Sequence, residues 1–317
     1  MRRREGSPWT GLMTVFAKET ADHLTSSRIW FLEGLVLLAA GGAMYAAIGK
    51  IKDTVSEDPF LFLSLFTVAR EPLPSFVSFL GFLVPLVAIA LGFDSINTEH
   101  TRRTMSRILA QPIYRDALLL GKFLAGLATL TITFLTLWLL TIGLGIVMLG
   151  LPPGGEEVLR GLAFLVVTIA YGGVWLGLAM LFSTVFRQPA TSALAALAVW
   201  LIFAVFWGML APLAADALAD PAGGVAAQIA QVENQMMFAR LSPNTLFGEA
   251  TIGLLNPGTR ALGPVFFADL QGAVLGNPLP FVQSLLLVWP QVTGLVAAVI
   301  ILFTATYTLF QRQEIRA

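Results

Sequence analysis

Arg102, Arg103 and Arg107 place three guanidinium groups within six positions, flanked by Glu99, Pro112 and Arg115. Guanidinium forks bind carboxylates and phosphates, so this group suits either docking on an acidic protein surface or holding anionic lipid headgroups. Little else in the chain carries chemistry. There is no cysteine, which excludes disulfides, thiolate metal sites and a cysteine nucleophile. The two histidines, His23 and His100, stand far apart in sequence. Met236 and Met237 are adjacent but have no histidine or cysteine beside them, and they read as apolar packing. GLLNPGTR, starting at Gly253, has part of a phosphate-loop spacing but lacks the lysine, and reads as a turn. No carboxylate pair or Ser–His–Asp set falls within the apolar runs. The chain is therefore expected to be no enzyme, with no catalytic residue, no metal site and no bound cofactor.

The elements that position these residues are apolar. The chain is 56% hydrophobic and 12% charged, against about 25% charged in soluble domains. A soluble surface cannot be made from that composition, so the fold class is an all-α membrane protein. About 20 apolar residues cross a bilayer as a helix. Six runs qualify, at about 29–48, 76–96, 123–151, 161–186, 191–214 and 284–310. The first is too long for a cleavable signal and is expected to stay in place. DPFLFLSLFTV, from Asp58, is too short to span and reads as an interfacial helix or a shallow dip. Of nineteen Lys and Arg, thirteen fall on one side of this topology and six on the other. The positive-inside rule then puts both termini and 94–122 in the cytoplasm of a cell membrane protein, with 215–283 outside as short helices over the outer mouth. Net charge is zero, so no nucleic-acid partner is expected.

Residues 8–27 carry Trp9, Leu12, Met13, Phe16, Thr20, His23 and Leu24 at helical spacing, with Lys18, Glu19 and Asp22 turned elsewhere. That pattern suits an amphipathic helix in the headgroup plane. In 94–122, Asn97 or Thr98 caps a short helix, Thr101, Met105, Ile108 and Leu109 share its apolar face, and Pro112 stops it. Glu33 is the ionisable residue inside a span; so near the cytoplasmic edge, with Arg28 close by, it is expected to snorkel or pair, the alternative being a substrate or gating contact. Trp200, Phe203, Phe206 and Trp207 cluster on span five, as a translocation wall or as ordinary core or lipid-facing packing. Gly173 and Gly177, and Gly41-Gly42, signal close helix approach.

Glu99, Thr104, Met105, Leu109, Pro112, Arg115 and the run Leu119-Leu120-Gly121-Lys122 resemble the segment between spans two and three of ABC-2 type transporter permeases. Lys18-Glu19, Ser27-Arg28-Ile29-Trp30 and Ser242-Pro243-Asn244-Thr245-Leu246-Phe247 are similar to further elements of that family, and the likeness is to its NosY-like branch. The family's glycine before the threonine is Arg103 here. The resemblance implies a permease subunit paired with a second copy or a homologous permease. It implies a separate ABC ATPase that carries the ATP and Mg²⁺, and a cytoplasmic coupling helix made by Glu99, Arg102, Arg103, Arg107, Pro112 and Arg115. It also implies export, and the apolar spans suit a lipid-like or amphipathic cargo. Two rivals stand beside that reading. One is a mechanotransmitting subunit that moves no cargo and acts on an extracytoplasmic partner; the other is a membrane-embedded lipid-modifying enzyme.

Overall fold

The computed structural model describes residues 11–53, 60–71, 73–101, 113–150, 152–218, 224–263 and 278–313. Arg102, Arg103, Arg107 and Pro112 lie outside the described residues. Among the described residues eleven helices follow in order: α1 (Leu12–Thr25), α2 (Ser27–Asp53), α3 (Leu61–Thr67), α4 (Phe76–Gly92), α5 (Asn97–Thr101), α6 (Arg115–Leu149), α7 (Gly155–Val185), α8 (Pro189–Asp216), α9 (Gly224–Ala239), α10 (Pro243–Leu255) and α11 (Phe281–Arg312). Six of them are long and apolar enough to cross a membrane: α2, α4 with its extension to Thr101, α6, α7, α8 and α11. Among the described residues the sole β feature is one bridge between Arg70 and Leu73.

α7 is the axis of the bundle, packed by α4, α6, α8, α10 and α11. Its small residues explain why. A Cβ on Gly173 would meet Val299 and Leu127 at 3.2 and 3.3 Å, and one on Gly177 would meet Leu302 at 3.3 Å. Hydrogen side chains at these positions let α11 and α6 lie against the helix backbone, where dispersion contacts stand in for the hydrophobic force that lipid does not supply. α8 is the opposite case and lies at the periphery, with Leu194, Val205, Met209 and Leu213 exposed. A π-turn, Ile202–Phe206, interrupts it; the Trp207 amide donates to the Ile202 carbonyl five residues back. Such a turn inserts one residue into the helical phase, and π-turns are frequent at functional sites.

The short apolar run is a helix packed on the bundle. α3 buries Phe62, Leu63, Leu65 and Phe66 against protein, and Phe62 and Leu65 occupy the space that a side chain on Gly145 of α6 would need. Apolar α3 thus joins the core as a plug between α4, α6 and α7. In the segment 215–283, α10 packs on α7 and α11, whereas α9 packs mainly on the last turns of α8.

Candidate functional site

One end of the bundle gathers α1, α5, the start of α6 and the last turns of α7 and α11. It is held by polar bonds between residues remote in sequence. Lys122 is the centre. Its side chain is 4% exposed, and Nζ bonds Glu19 of α1 at 2.9 Å and Glu99 of α5 at 3.4 Å. One buried ammonium therefore ties the lead-in helix to the entry of the segment 102–112. Gly121, next to it, lets α1 approach: a Cβ there would stand 2.8 Å from Val15 Cγ1 and 3.3 Å from the Leu12 carbonyl.

Both flanks of 102–112 are fixed. On the entry side, Ser183 Oγ of α7 accepts from the amides of Ile96 (2.9 Å) and Asn97 (3.2 Å) at the start of α5. Thr101 Oγ1 donates to the carbonyls of Asn97 (2.9 Å) and Arg187 (3.3 Å). Asp94 takes Arg28 of α2 at 2.8 Å, with the guanidinium over the Phe93 ring at 4.9 Å. On the exit side, Arg115 Nη1 donates to the carbonyls of Gln311 and Gln313. Gln311 in turn donates to Asp116, and Gln313 donates to the Thr184 carbonyl at 2.6 Å. The flanks of 102–112 are thus anchored on α1, α2, α7 and α11.

The electrostatics of α1 follow from this burial. Burial by itself would raise the Glu19 carboxyl; the Lys122 charge and hydrogen bond, with Lys18, outweigh it and hold Glu19 below the ordinary carboxylate range. Burial lowers His23 and keeps its imidazole neutral, with Lys122 and Arg28 adding to the effect against Glu19 and Asp94. Burial likewise opposes the charge of Lys18, but its bonds to Asp22 and Glu19 prevail and raise its pKa. Lys18 and Asp22 face outward as a pair at 2.8 Å, while Glu19 turns inward. The amphipathic pattern had grouped all three on the polar face.

Of the remaining residues singled out above, Glu33 does not pair with Arg28, because Asp94 holds that guanidinium. Its carboxylate accepts instead from Thr133 Oγ1 of α6 at 2.8 Å, a polar tie between spans one and three. The aromatic cluster divides. Trp200 packs edge-on against Phe82 of α4 at 4.8 Å, Phe203 touches Trp175 and Trp207, and Trp207 Nε1 donates to the Phe238 carbonyl at 2.9 Å. Phe206, inside the π-turn, is 47% exposed. The extra residue of that turn puts it out of phase with its three neighbours. Met236 packs its sulfur against Gly263, as apolar packing would have it.

Two residues with large structural roles had no role in the sequence reading. Lys122 stood only as the end of a motif. Arg160, outside every apolar run, drew no attention by type or spacing, yet it is fully buried at the far end of the bundle. It bonds Glu156 (2.8 Å), the Leu254 carbonyl (2.9 Å), Ser284 Oγ (3.0 Å) and the Leu279 carbonyl. Its neighbour Glu157 accepts from the amides of Gly154 and Phe62, and so joins α3 to α7. A signal existed in the i,i+4 spacing of Glu156 and Arg160 at the start of a long apolar run.

Comparison with known proteins decides the family. The model of the ABC-2 family transporter protein matches residues 13–315. This chain is an ABC-2 family transporter protein. It is 30% identical over 205 residues to the probable ABC transporter permease protein NosY of Pseudomonas aeruginosa, covering 62% of this chain and 68% of that relative. It is 28% identical over 151 residues to the protein of the same name from Stutzerimonas stutzeri, covering 46% and 52%. These relatives are named as permeases, the membrane subunits of transporters, and that is the class of this ABC-2 chain.

Proposed function

We propose that this ABC-2 protein is the membrane subunit of an exporter of lipid-like or amphipathic molecules. A separate ABC ATPase carries ATP and Mg²⁺ and drives it through the segment 94–122. The observation that carries the reading is the anchoring of both flanks of 102–112. Force applied there reaches α1 and α6 through Lys122, α7 through Ser183 and α11 through Arg115. On this reading the end holding residues 11–25 and 311–313 is cytoplasmic, in the cell membrane, α1 lies in the headgroup plane, and a second permease copy completes the path. Binding energy from the ATPase moves the membrane part only if it differs between two membrane states.

The test is co-expression of the tagged chain with its ATPase. Charge reversal at Arg102, Arg103 and Arg107 to Glu is expected to abolish co-purification and to uncouple ATP hydrolysis from transport in vesicles. Wild-type recovery of the ATPase by the triple variant would sink the coupling reading. Single cysteines in this cysteine-free chain, placed at Lys18 and Glu233, report the orientation by labelling from opposite sides.

A second reading has one observation in its favour. α9 packs mainly on α8 and is bonded to it by Trp207, so movement of α8 is carried directly into the segment 215–283. A mechanotransmitting subunit needs such a linkage. ATP hydrolysis without flux of any amphipathic cargo, together with altered protease cleavage of that segment, would select it over export. A membrane-embedded lipid-modifying enzyme has no such observation behind it.

A further inference from the structure

A cavity of about 390 Å³ lies between the first turns of α4, the middle of α7 and one face of α10, at the end opposite the termini. Its α10 wall is Asn244, Phe247, Gly248, Thr251 and Ile252, the i, i+3, i+4 spacing of a single helix face. Ser75 and Ser78 of the α4 start line the other side, and Tyr171 stacks on Phe247 at 4.4 Å to form the base. The volume sits at the low end of the range for small-molecule pockets, about 300–1,000 Å³. Thr67, Ser78, Ile252 and Asn256 are exposed at its mouth.

Three properties restrict what fits. Among the described residues none that lines it is charged, so an ionised headgroup would find no counter-charge from them, which is costly in a low-dielectric site. Two lining residues each carry a buried oxygen with no hydrogen-bond partner among the described residues: Thr251 Oγ1, on a residue 1% exposed, and Asn244 Oδ1. The other hydroxyls are engaged, Tyr171 donating to the Gly81 carbonyl and Ser75 bonding Ser78. The vacant valences therefore ask for a group that both donates, to Asn244 Oδ1, and exchanges a hydrogen bond with Thr251. Lastly, a Cβ on Gly248 would meet nothing within 4 Å, so this part of the wall is open space.

We propose that this cavity is a ligand site for an uncharged polyhydroxyl group, carried by a neutral amphipath whose apolar tail leaves past Ile252. A hydroxyl is the small neutral group that is donor and acceptor at once, which matches Asn244 and Thr251 together. That the occupant is then moved rests on the transport reading above; that it binds does not.

The test is native mass spectrometry of the purified full chain in a polyoxyethylene detergent, without ATPase. It is titrated with monopalmitoylglycerol, with glycerol alone, and with phosphatidylglycerol as the anionic counterpart. One saturable monopalmitoylglycerol adduct per chain is expected, weakened at least tenfold by Thr251→Val and by Asn244→Leu and retained in Thr251→Ser. Gly248→Leu is expected to remove it by filling the cavity, at an unchanged thermal midpoint. An adduct with glycerol alone of equal affinity would identify a free polyol as the source and keep the site. No neutral adduct, equal binding of phosphatidylglycerol, or equal binding to Gly248→Leu would overturn the proposal and leave a cavity holding water only. None of those results bears on ATPase docking, which the arginine variants test.

Discussion

Replacing Lys122 by Met keeps an aliphatic stem at that position of α6 and removes the charge. Two carboxylates are then left facing each other, Glu19 with 13% and Glu99 with 16% of their side chains exposed. Removing one partner of a buried ion pair costs about 3–5 kcal/mol. The longer Glu99 contact of 3.4 Å and the residual exposure of both acids place this case near the lower value, about 3 kcal/mol. At 1.36 kcal/mol per decade that is about a 150-fold increase in the population with α1 undocked. Amide hydrogen exchange over residues 12–25 in detergent micelles reads that population directly, with α7 amides as the internal reference. Adding Glu19→Gln to Lys122→Met removes one of the two facing charges and is expected to recover at least tenfold of the lost protection. The same Glu19→Gln change in the wild-type background is expected to reduce protection. Exchange of α1 within twofold of wild type in Lys122→Met, or the same effect of Glu19→Gln in both backgrounds, would refute the account of Lys122 as the tie.

Acidification is expected to loosen α1 in two stages. His23 has a lowered folded-state pKa, so its contribution is complete above about 6.5 and is lost as pH falls through the folded value; Glu19, also lowered, contributes fully above about 4.3 and is lost below that. His23→Gln is expected to flatten α1 protection between pH 7 and 5, and protection that rises on acidification would contradict the sign. Gly121→Ala drives a methyl into Val15 at 2.8 Å and is expected to cost about 1–3 kcal/mol of α1 docking; Val15→Ala in the same chain restores most of it, as read by the same exchange, and purely additive losses would deny the contact. Arg160→Met is expected to lower the thermal midpoint sharply, by an effect of about 3–5 kcal/mol. Arg160→Lys should not rescue it, because an ammonium cannot fork to Glu156, Leu254 and Ser284 together; full rescue by lysine would show that charge alone suffices.

The spans were legible because lipid imposes a simple rule: an apolar run of sufficient length becomes a helix whatever its neighbours do. Their ends were less so. α6 begins at Arg115 and α7 at Gly155, well before the apolar runs that announced them, and Arg115 and Arg160 there find carbonyl partners that exist only in the folded chain. α3 shows the same limit, since length excluded it as a span but nothing local told that Gly145 leaves room for it. At the candidate site, Glu99 and Arg115 could be picked out as a pattern. The bond that gives Glu99 its place, to Lys122 and thence to Glu19, joins positions 23 and 103 residues apart, and no periodicity reports such a pair. The division of the span-five aromatics was hidden for a different reason. A π-turn has no strong residue signature, so Phe206 was phased as if the helix were regular.

Arg160 also sets an order of events during synthesis. Its partner Glu156 is four residues away and already present when α7 emerges. Leu254, Leu279 and Ser284 lie 94, 119 and 124 residues further on. At about 5–20 residues per second, those groups are made roughly 5–25 s after the guanidinium. Throughout that interval the Arg160 guanidinium has Glu156 as its counter-charge but lacks three hydrogen-bond acceptors, which come only with α10, Leu279 and α11. The last span thus brings acceptors to a guanidinium already in place, and a chain truncated before Leu279 is expected to leave two of them missing although the whole of α7 is present.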